Sequence, residues 1–383
     1  MITNEMMRIV SLSDICSYVN SKIPVEQVQL ANYVSTENLL QNKGGLSVAN
    51  KLPSGKVTAF QAGDVLVSNI RPYFKKIWLA DRSGGASNDV LVFRKLNDNI
   101  CEKYLYYILA DDRFFAFSTA SASGSKMPRG DKSQIMNYPV KLPPLEVQKK
   151  IADILSSLDE KIDLNRRMNE TLEQLGQALF RHYFVDNPEA KSWESGEVSD
   201  VVCIYSGFAF KSKDFDIDGR YGLVTIKNVQ DGSFIKDCTD HLSEPLPDKT
   251  PEHIHLKSGD IILSLTGNVG RVCAVVGRDY LLNQRVAKLA SDESQAYVYF
   301  LFRSKTMKDR MIGISKGTAQ KNLSPIETGK LKIKIPPTNT MSQFEENAIE
   351  LLNMIVSNNE QIQTLTSLRD SLLPKLISGG IEV

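Results

Sequence analysis

Cysteine is sparse and carries no pairing pattern. Cys16, Cys101, Cys203, Cys238 and Cys273 stand far apart with no short spacing between them, which argues against a disulfide framework and fits a reducing cytosol. No uninterrupted apolar run approaches ~18 residues, so no membrane-spanning helix is expected. The opening residues MITNEMMRIV lack an apolar segment and a cleavage site, and no signal peptide is expected. Ligand clusters are missing too. His253 and His255 would share a strand face, and His241 lies near Cys238, but zinc sites show tighter groupings, so no metal site is expected. Gly267 to Arg271 lacks the spacing of a phosphate-cradling loop and reads as a tight turn. Neither Asn137-Tyr138-Pro139-Val140 nor Ile335-Pro336-Pro337-Thr338 forms the Asn/Asp-Pro-Pro-aromatic tetrad of a DNA methylase. No catalytic residues are expected.

What is present is a long helical pattern. After Pro143-Pro144 there is no proline or glycine until Gly176. Apolar residues recur at alternating steps of four and three along Ile151, Leu155, Leu158, Ile162, Asn165, Asn169, Leu172, Gly176, Leu179 and Tyr183. That is a coiled-coil seam, and it needs a partner. The partner lies near the end of the sequence, after Pro336-Pro337. Its seam runs through Phe344, Ala348, Leu351, Ile355, Asn358, Ile362, Leu365, Arg369, Leu372 and Leu376. An offset of 193 residues carries Pro143 to Pro336, Ile151 to Phe344 and Asn165 to Asn358. The sequence is an internal duplication. The two asparagines are expected to meet across antiparallel helices and fix their register. Asp159-Glu160-Lys161 reads as part of a solvated charged face.

The segments between the helices repeat as well. Ala62-Gly63-Asp64-Val65-Leu66-Val67-Ser68 is echoed by Ser258-Gly259-Asp260-Ile261-Ile262-Leu263-Ser264, and Tyr104 to Tyr107 by Tyr297-Val298-Tyr299-Phe300. Within the loop 121–132, SASGSKMPRGDK, Ala122 to Arg129 corresponds to Ser315 to Asn322, aligning Gly124 with Gly317. Framework positions agree while loop chemistry differs, as expected of two modules with one scaffold and two specificities. The expected domains are 1–143, a central helix at 144–185, 186–337, and a C-terminal helix at 338–383. The net charge of +1 is unevenly spread: +5 over 1–143 and +3 over 191–337, against −3 over 144–190 and −4 over 338–383. Mildly basic domains permit nucleic-acid binding without demanding it. The fold class is α+β: two similar mixed domains separated by two long helices in an antiparallel coiled coil, related by a pseudo-twofold repeat. A helix of roughly 36 residues would be ~54 Å long, adequate for the ~34 Å between the half-sites that dimeric DNA-binding proteins read.

This alternation resembles the specificity (S) subunit of type I restriction–modification systems. LPPLEVQKKIADILSSLDEKID (Leu142 to Asp163), LGQALFRHYF (Leu175 to Phe184) and SLLPKLISGGIEV (Ser371 to Val383) carry the resemblance, together with the two Gly-Asp motifs and Gly317 to Asn322. The segment PPTNTMSQF departs from the more regular PPLEVQKKI. The resemblance implies a non-catalytic, cytoplasmic subunit of an adenine-specific DNA methyltransferase/endonuclease. Each target-recognition domain would read half of a bipartite, asymmetric site in double-stranded DNA. The helices would set the spacing and dock two methylation (M) subunits, and restriction (R) subunits would join. Cofactors are expected only on those partners: S-adenosylmethionine, and ATP with Mg. Residue types agree with this reading. Arg71, Lys75, Lys76, Lys126, Arg129 and Lys132 in the first domain, and Asn268, Arg271, Lys316, Gln320, Lys321 and Asn322 in the second, suit phosphates and base edges. The competing reading is a coiled-coil scaffold joining two protein-binding domains without touching nucleic acid. Salt dependence of DNA binding separates the two.

Overall fold

The computed structural model describes residues 8–317 and 321–383. Two compact units divide the chain, Met1–Lys161 with Leu365–Val383, and Ile162–Thr364. The central helix, Leu145–Phe180, starts directly after its two prolines, and the C-terminal helix, Thr338–Ser378, does the same. Proline suits this position because its fixed φ and missing N–H cost nothing at a helix start. The central helix continues into a π turn over Arg181–Val185.

In the first unit an antiparallel four-stranded sheet runs in the order Cys16–Tyr18, Val90–Lys95, Val65–Ser68, Ile77–Leu79. A second sheet runs Lys22–Pro24, Lys56–Phe60, Gly84–Ala86, Tyr33–Val34, its last pair parallel. A ribbon of Arg8–Ser11 with Pro139–Leu142 closes the unit next to the helix. The main core joins Phe93, Tyr104, Ile108 and Phe114 to Ile151, Ala152 and Leu155 of the central helix and to Leu373, Leu376 and Ile377 of the C-terminal helix. The beginning of one long helix thus packs with the end of the other, so they run antiparallel here.

The second unit repeats the plan. Its antiparallel sheet is Cys203–Ser206, Val286–Ala290, Ile261–Ser264, Val272–Ala274. Its other sheet is His241–Leu242, Tyr221–Val224, Tyr280–Leu282, His255–Leu256. The parallel pair and the strand beside it match those of the first unit. The added edge strands do not, for Lys22–Pro24 and His241–Leu242 lie on opposite edges. The core gathers Phe180 from the central helix with Tyr297, Phe300, Phe344, Ala348, Leu352 and Ile355, again antiparallel.

The repeated Gly-Asp motif has a physical cause. Gly63 and Gly259 take φ of 89° and 90°, a left-handed turn that glycine enters without steric penalty. The following aspartate is buried and accepts a main-chain N–H three residues back: Asp64 from Gln61, Asp260 from Lys257. Each then pairs with a cation on the neighbouring strand. Arg94 grips Asp64 through two bonds of 2.7 Å, and Lys288 meets Asp260 at 2.9 Å. The hydrogen bonds to Asp64 raise the Arg94 pKa further, against the opposing effect of burial.

Within the seam of the second unit, Asn165 and Asn358 are both buried, but neither bonds to the other. Asn358 donates to Asn169 Oδ1 at 2.9 Å, and Asn169 donates to Asn359 Oδ1 at 3.0 Å. Asn165 donates to Gln361 at 3.2 Å, while its Oδ1 is buried without a partner. The expected pair is displaced by one turn because antiparallel register sets Asn358 opposite Asn169. The 193-residue offset maps that pair onto Asn165 and residue 362, which is Ile362. The duplicated bond is therefore missing on one side.

A second departure concerns Asp159, read as solvated. It accepts Tyr107 Oη at 2.7 Å and Arg369 Nη1 at 2.6 Å, with Arg369 at a buried seam position. Adding 193 to Tyr107 and Asp159 gives Phe300 and Leu352, and subtracting it from Arg369 gives Gly176. There the contact is apolar. Phe300 lies so close to Gly176 that an added Cβ would stand 2.1 Å from its ring, and Leu352 belongs to the same core. One repeat solves this junction with a polar trio, the other with an aromatic ring on a glycine.

Two outcomes follow for urea unfolding. Asn165→Leu is neutral or stabilising by up to about 1 kcal/mol, since it removes a buried amide oxygen without a partner and gives up only a bond to exposed Gln361, whereas Asn358→Leu costs about 1–3 kcal/mol by stripping Asn169 of its donor. Asp159→Leu alone costs about 3 kcal/mol because it removes the acceptor of Tyr107 and leaves buried Arg369 only Asp370, its neighbour on the same helix. Combining it with Tyr107→Phe and Arg369→Gly recovers at least half of that loss. Additive costs would contradict the equivalence of the two junctions.

Candidate nucleic-acid interface

Three loops of the first unit converge. The loop after Val65–Ser68 is joined to 121–132 by a bridge between Ile70 and Arg129. Arg71 N–H donates to Pro128 O at 2.8 Å, and Gly130 N–H to Asn69 O at 3.3 Å. The turn preceding Val90 enters through Asn69 N–H, which donates to Asp89 O at 2.8 Å. In the second unit Thr266 bridges Asn322, Gly267 N–H donates to Lys321 O at 3.0 Å, and Leu265 N–H to Arg285 O at 3.0 Å. Thr266 Oγ1 also donates to Asn322 Oδ1 at 3.0 Å. Loops far apart in sequence are thus assembled by main-chain bonds, which leave their side chains free to vary.

Arg71 sits in this cluster with φ 51° and ψ 64°, a left-handed backbone unusual for a side chain other than glycine or asparagine. Its guanidinium donates to Lys126 O at 3.2 Å and lies 5.9 Å from the Phe74 ring centre. Lys75 is also left-handed. Such outliers cluster at functional sites, where surrounding structure must hold them.

The cations differ in their engagement. Lys75 is 2.8 Å from Asp112, which Lys43 shares at 3.2 Å. Burial of Asp112 opposes its ionisation, but the two lysines outweigh it and hold the carboxyl below its usual range. Lys76 donates to Thr36 O at 2.5 Å, and burial lowers its pKa. Arg129 pairs with Asp89 at 3.1 Å. Lys126 and Lys132 are exposed beside the cluster. In the second unit Asn268, Lys316, Lys321 and Asn322 are exposed, and Lys316 and Asn322 exchange main-chain bonds of 2.9 and 2.8 Å. Arg271 is half-buried and donates to Gln230 at 2.7 Å. Gln320 lies outside the described residues. Arg71, Lys126 and Arg129 are therefore brought together, whereas Lys75 and Lys76 are tied to the frame behind them.

The sequence reading missed a second clamp. Asn38 Oδ1 accepts Ser35 N–H at 2.6 Å, and its Nδ2 donates to Tyr33 O and Ser47 O, both at 2.9 Å. Asn228 repeats two of these bonds, from Thr225 N–H and to Asp237 O, and makes its third to Ile235 O. The signal was present as a strand followed by Ser/Thr-x-x-Asn, in Ser35 to Asn38 and Thr225 to Asn228.

Two matches to the family profile described as "Type I restriction modification DNA specificity domain" cover residues 4–174 and 190–362. The chain belongs to this family. The type I restriction enzyme HindI specificity subunit of Haemophilus influenzae is 24% identical over 456 residues, covering 97% of this chain and 98% of that one. The MjaVIII specificity subunit of Methanocaldococcus jannaschii is 25% identical, covering 99% and 94%. The crystal structure of the type I restriction–modification S subunit from M. genitalium has the same fold, with a TM-score of 0.57 at 17% identity and 98% of both chains covered. Among the described residues no helix is long and apolar enough to cross a membrane, and no group of three or more acidic, histidine or cysteine side chains could hold a metal.

Each type I specificity repeat also carries a groove. That of the second unit encloses about 710 Å³ between Phe180, Phe184, Tyr297, Leu301 and Ile333. In the first, about 320 Å³ lies between Ile9, Ile108, Tyr138, Val140 and Ile377. Ile108 and Leu301, Val140 and Ile333, and Phe184 and Ile377 are related by the same 193-residue offset.

Proposed function

We propose that this chain is the DNA-specificity subunit of a type I restriction–modification complex and is itself non-catalytic. Residues 1–143 and 186–337 are its two target-recognition domains, and each reads one half of a bipartite, asymmetric duplex. The helical segments 144–185 and 338–383 set the spacing and dock two methylation subunits, which would bind S-adenosylmethionine. Restriction subunits, with ATP and Mg, would complete the assembly in the cytoplasm. The observation that carries this reading is the coincidence of two specificity-family matches with two repeats that each gather exposed polar loops on the same main-chain frame. The repeat-related grooves fit a partner that binds twice, once per unit.

Arg71, Lys126, Arg129 and Lys132 are the first domain's DNA contacts in this reading, and Asn268, Lys316, Gln320, Lys321 and Asn322 the second's. Lys75, Lys76 and Arg271 support the surface from behind. The assembled complex of this chain with its methylation subunits provides the test. Binding to its target falls steeply with salt, because phosphate neutralisation releases counterions. Lys126→Ala lowers the slope of log K against log[salt] by about 1, whereas Lys75→Ala leaves it unchanged. Binding that does not respond to salt would identify the chain as a protein scaffold instead.

In the same assembly, Arg71→Ala with Lys126→Ala erodes sequence information in one half-site only, read by selection from randomised duplexes. Equal erosion in both halves would overturn the assignment of one domain to each half. Mapping methylated adenines in cells expressing the complex gives the site itself.

A further inference from the structure

We propose that Asp89 and Arg129 form the base-reading tip of the first domain, matched to the major-groove edge of a G·C pair, and that Arg285 and Asn322 occupy the same station in the second. The inference rests on the reading of this chain as a DNA-specificity subunit.

The station is defined by main-chain bonds common to both units. Ser87 N–H donates to Val34 O at 2.8 Å, and Asn283 N–H to Val224 O at 3.1 Å. Val90 N–H closes on Ser87 O, and Val286 N–H on Asn283 O, both at 2.9 Å. The intervening N–H of Asp89 donates to Ser87 Oγ at 3.3 Å, that of Arg285 to Asn283 Oδ1 at 3.4 Å. The carbonyls of Asp89 and Arg285 each accept from the loop after the central strand, at Asn69 and Leu265. Across the station, Arg129 bridges Ile70 and Ser123, and Asn322 bridges Thr266 and Lys316.

On this shared backbone the side chains are opposed. The first unit presents a carboxylate and a guanidinium, the second a guanidinium and an amide. Folding does not require this difference, because every framework bond is kept. Nor does the Asp89–Arg129 pair serve stability. Its side chains are 39% and 53% exposed, and ion pairs that open to water contribute little. Arg129 directs both Nε and Nη2 at Asp89 Oδ1, each at 3.1 Å, so a donor and an acceptor stand side by side at the surface.

That arrangement complements one base pair. Guanine offers N7 and O6 as acceptors, which arginine bonds bidentately, and the paired cytosine offers an N4 donor, which a carboxylate accepts. An adenine or thymine in either place breaks at least one bond and leaves a charge facing a like dipole. In the second domain Arg285 suits guanine, whereas Asn322 Oδ1 is engaged by Thr266 Oγ1 at 3.0 Å, so the two heads present different chemistry from one scaffold.

Selection from randomised duplexes by the complex with its methylation subunits tests this, using Asp89→Ala and the exchange Asp89→Arg with Arg129→Asp. Wild type selects a G·C pair at one position of one half-site. Asp89→Ala lowers discrimination there at least fivefold, the smaller end of what one good base contact provides. The exchange preserves an ion pair yet alters the base selected at that position, and the other half-site is untouched. Arg285→Gln changes a position in that other half-site. If the exchange restores the wild-type site, the pair is structural and the inference falls. It also falls if Asp89→Ala changes affinity for all sequences alike, as for a phosphate neighbour. A wild-type complex that selects no sequence overturns the underlying reading and the inference with it. A thermal melt shows that each variant is folded.

Discussion

Everything in the structure depends on the burial of two helical stripes that cannot be satisfied within their own helices. An apolar stripe that includes Ile151, Leu155 and Phe180 on one helix, and Phe344, Ile355 and Leu376 on the other, has no stable home in water. In each unit it is covered on one side by the opposing helix and on the other by the domain's own tyrosine- and phenylalanine-rich helix. Domain and spacer therefore share one core, and neither folds as an independent module attached to a rod. Tyr107 donates to Asp159 and Tyr299 to Glu173, so a domain tyrosine fastens the central helix to the globular part in both units; the arginine beside each differs, Arg369 coming from the other long helix and Arg303 from the domain.

With that core in place, the loops are released from any part in folding. Their positions come from main-chain bonds and from the buried Gly-Asp turns, Asn38 and Asn228, so side chains at the tips are free to diverge. This is the physical form of one frame with two specificities. Charge bookkeeping at the level of the whole chain obscured it. Arg94, Lys288, Lys43, Lys75, Arg303 and Arg369 are all spent on carboxylates of the frame. These cations are committed to the frame, so the net charge of a domain does not say which of its basic side chains face a partner.

The helices, their antiparallel pairing and the duplication were legible because heptad spacing and a constant offset survive in one dimension. The convergence of 69–71 with 121–132 was legible only as two suspicious loops; bridging them needs a contact across some sixty residues. Asn358 was paired with the wrong asparagine because repeat equivalence and antiparallel register are different relations: the first adds 193, the second reverses direction. Asp159 was misread because a charged triplet on a helix is usually solvated, and only the partner helix reveals Arg369. The edge strands diverge between units since an edge tolerates change without disturbing the core.

The same reasoning explains why the first unit keeps a buried ion pair where the second keeps a ring on a glycine. Gly176 permits the closest approach of Phe300 but surrenders a side chain's worth of burial, while Arg369 fills that volume and must then be neutralised by Asp159 and Asp370. A buried pair of this kind adds little net stability over well-packed apolar groups. It does penalise every register that separates its members. In the second unit that duty falls to Asn169 and Asn358 instead, one turn from the middle of the seam. Each unit thus holds polar contacts across the seam that penalise a slipped alignment, set among apolar residues that would tolerate a shift by a heptad. Alignment of the two helices is then specified twice, by different chemistry, and each domain is held in a single setting against its own stretch of the spacer.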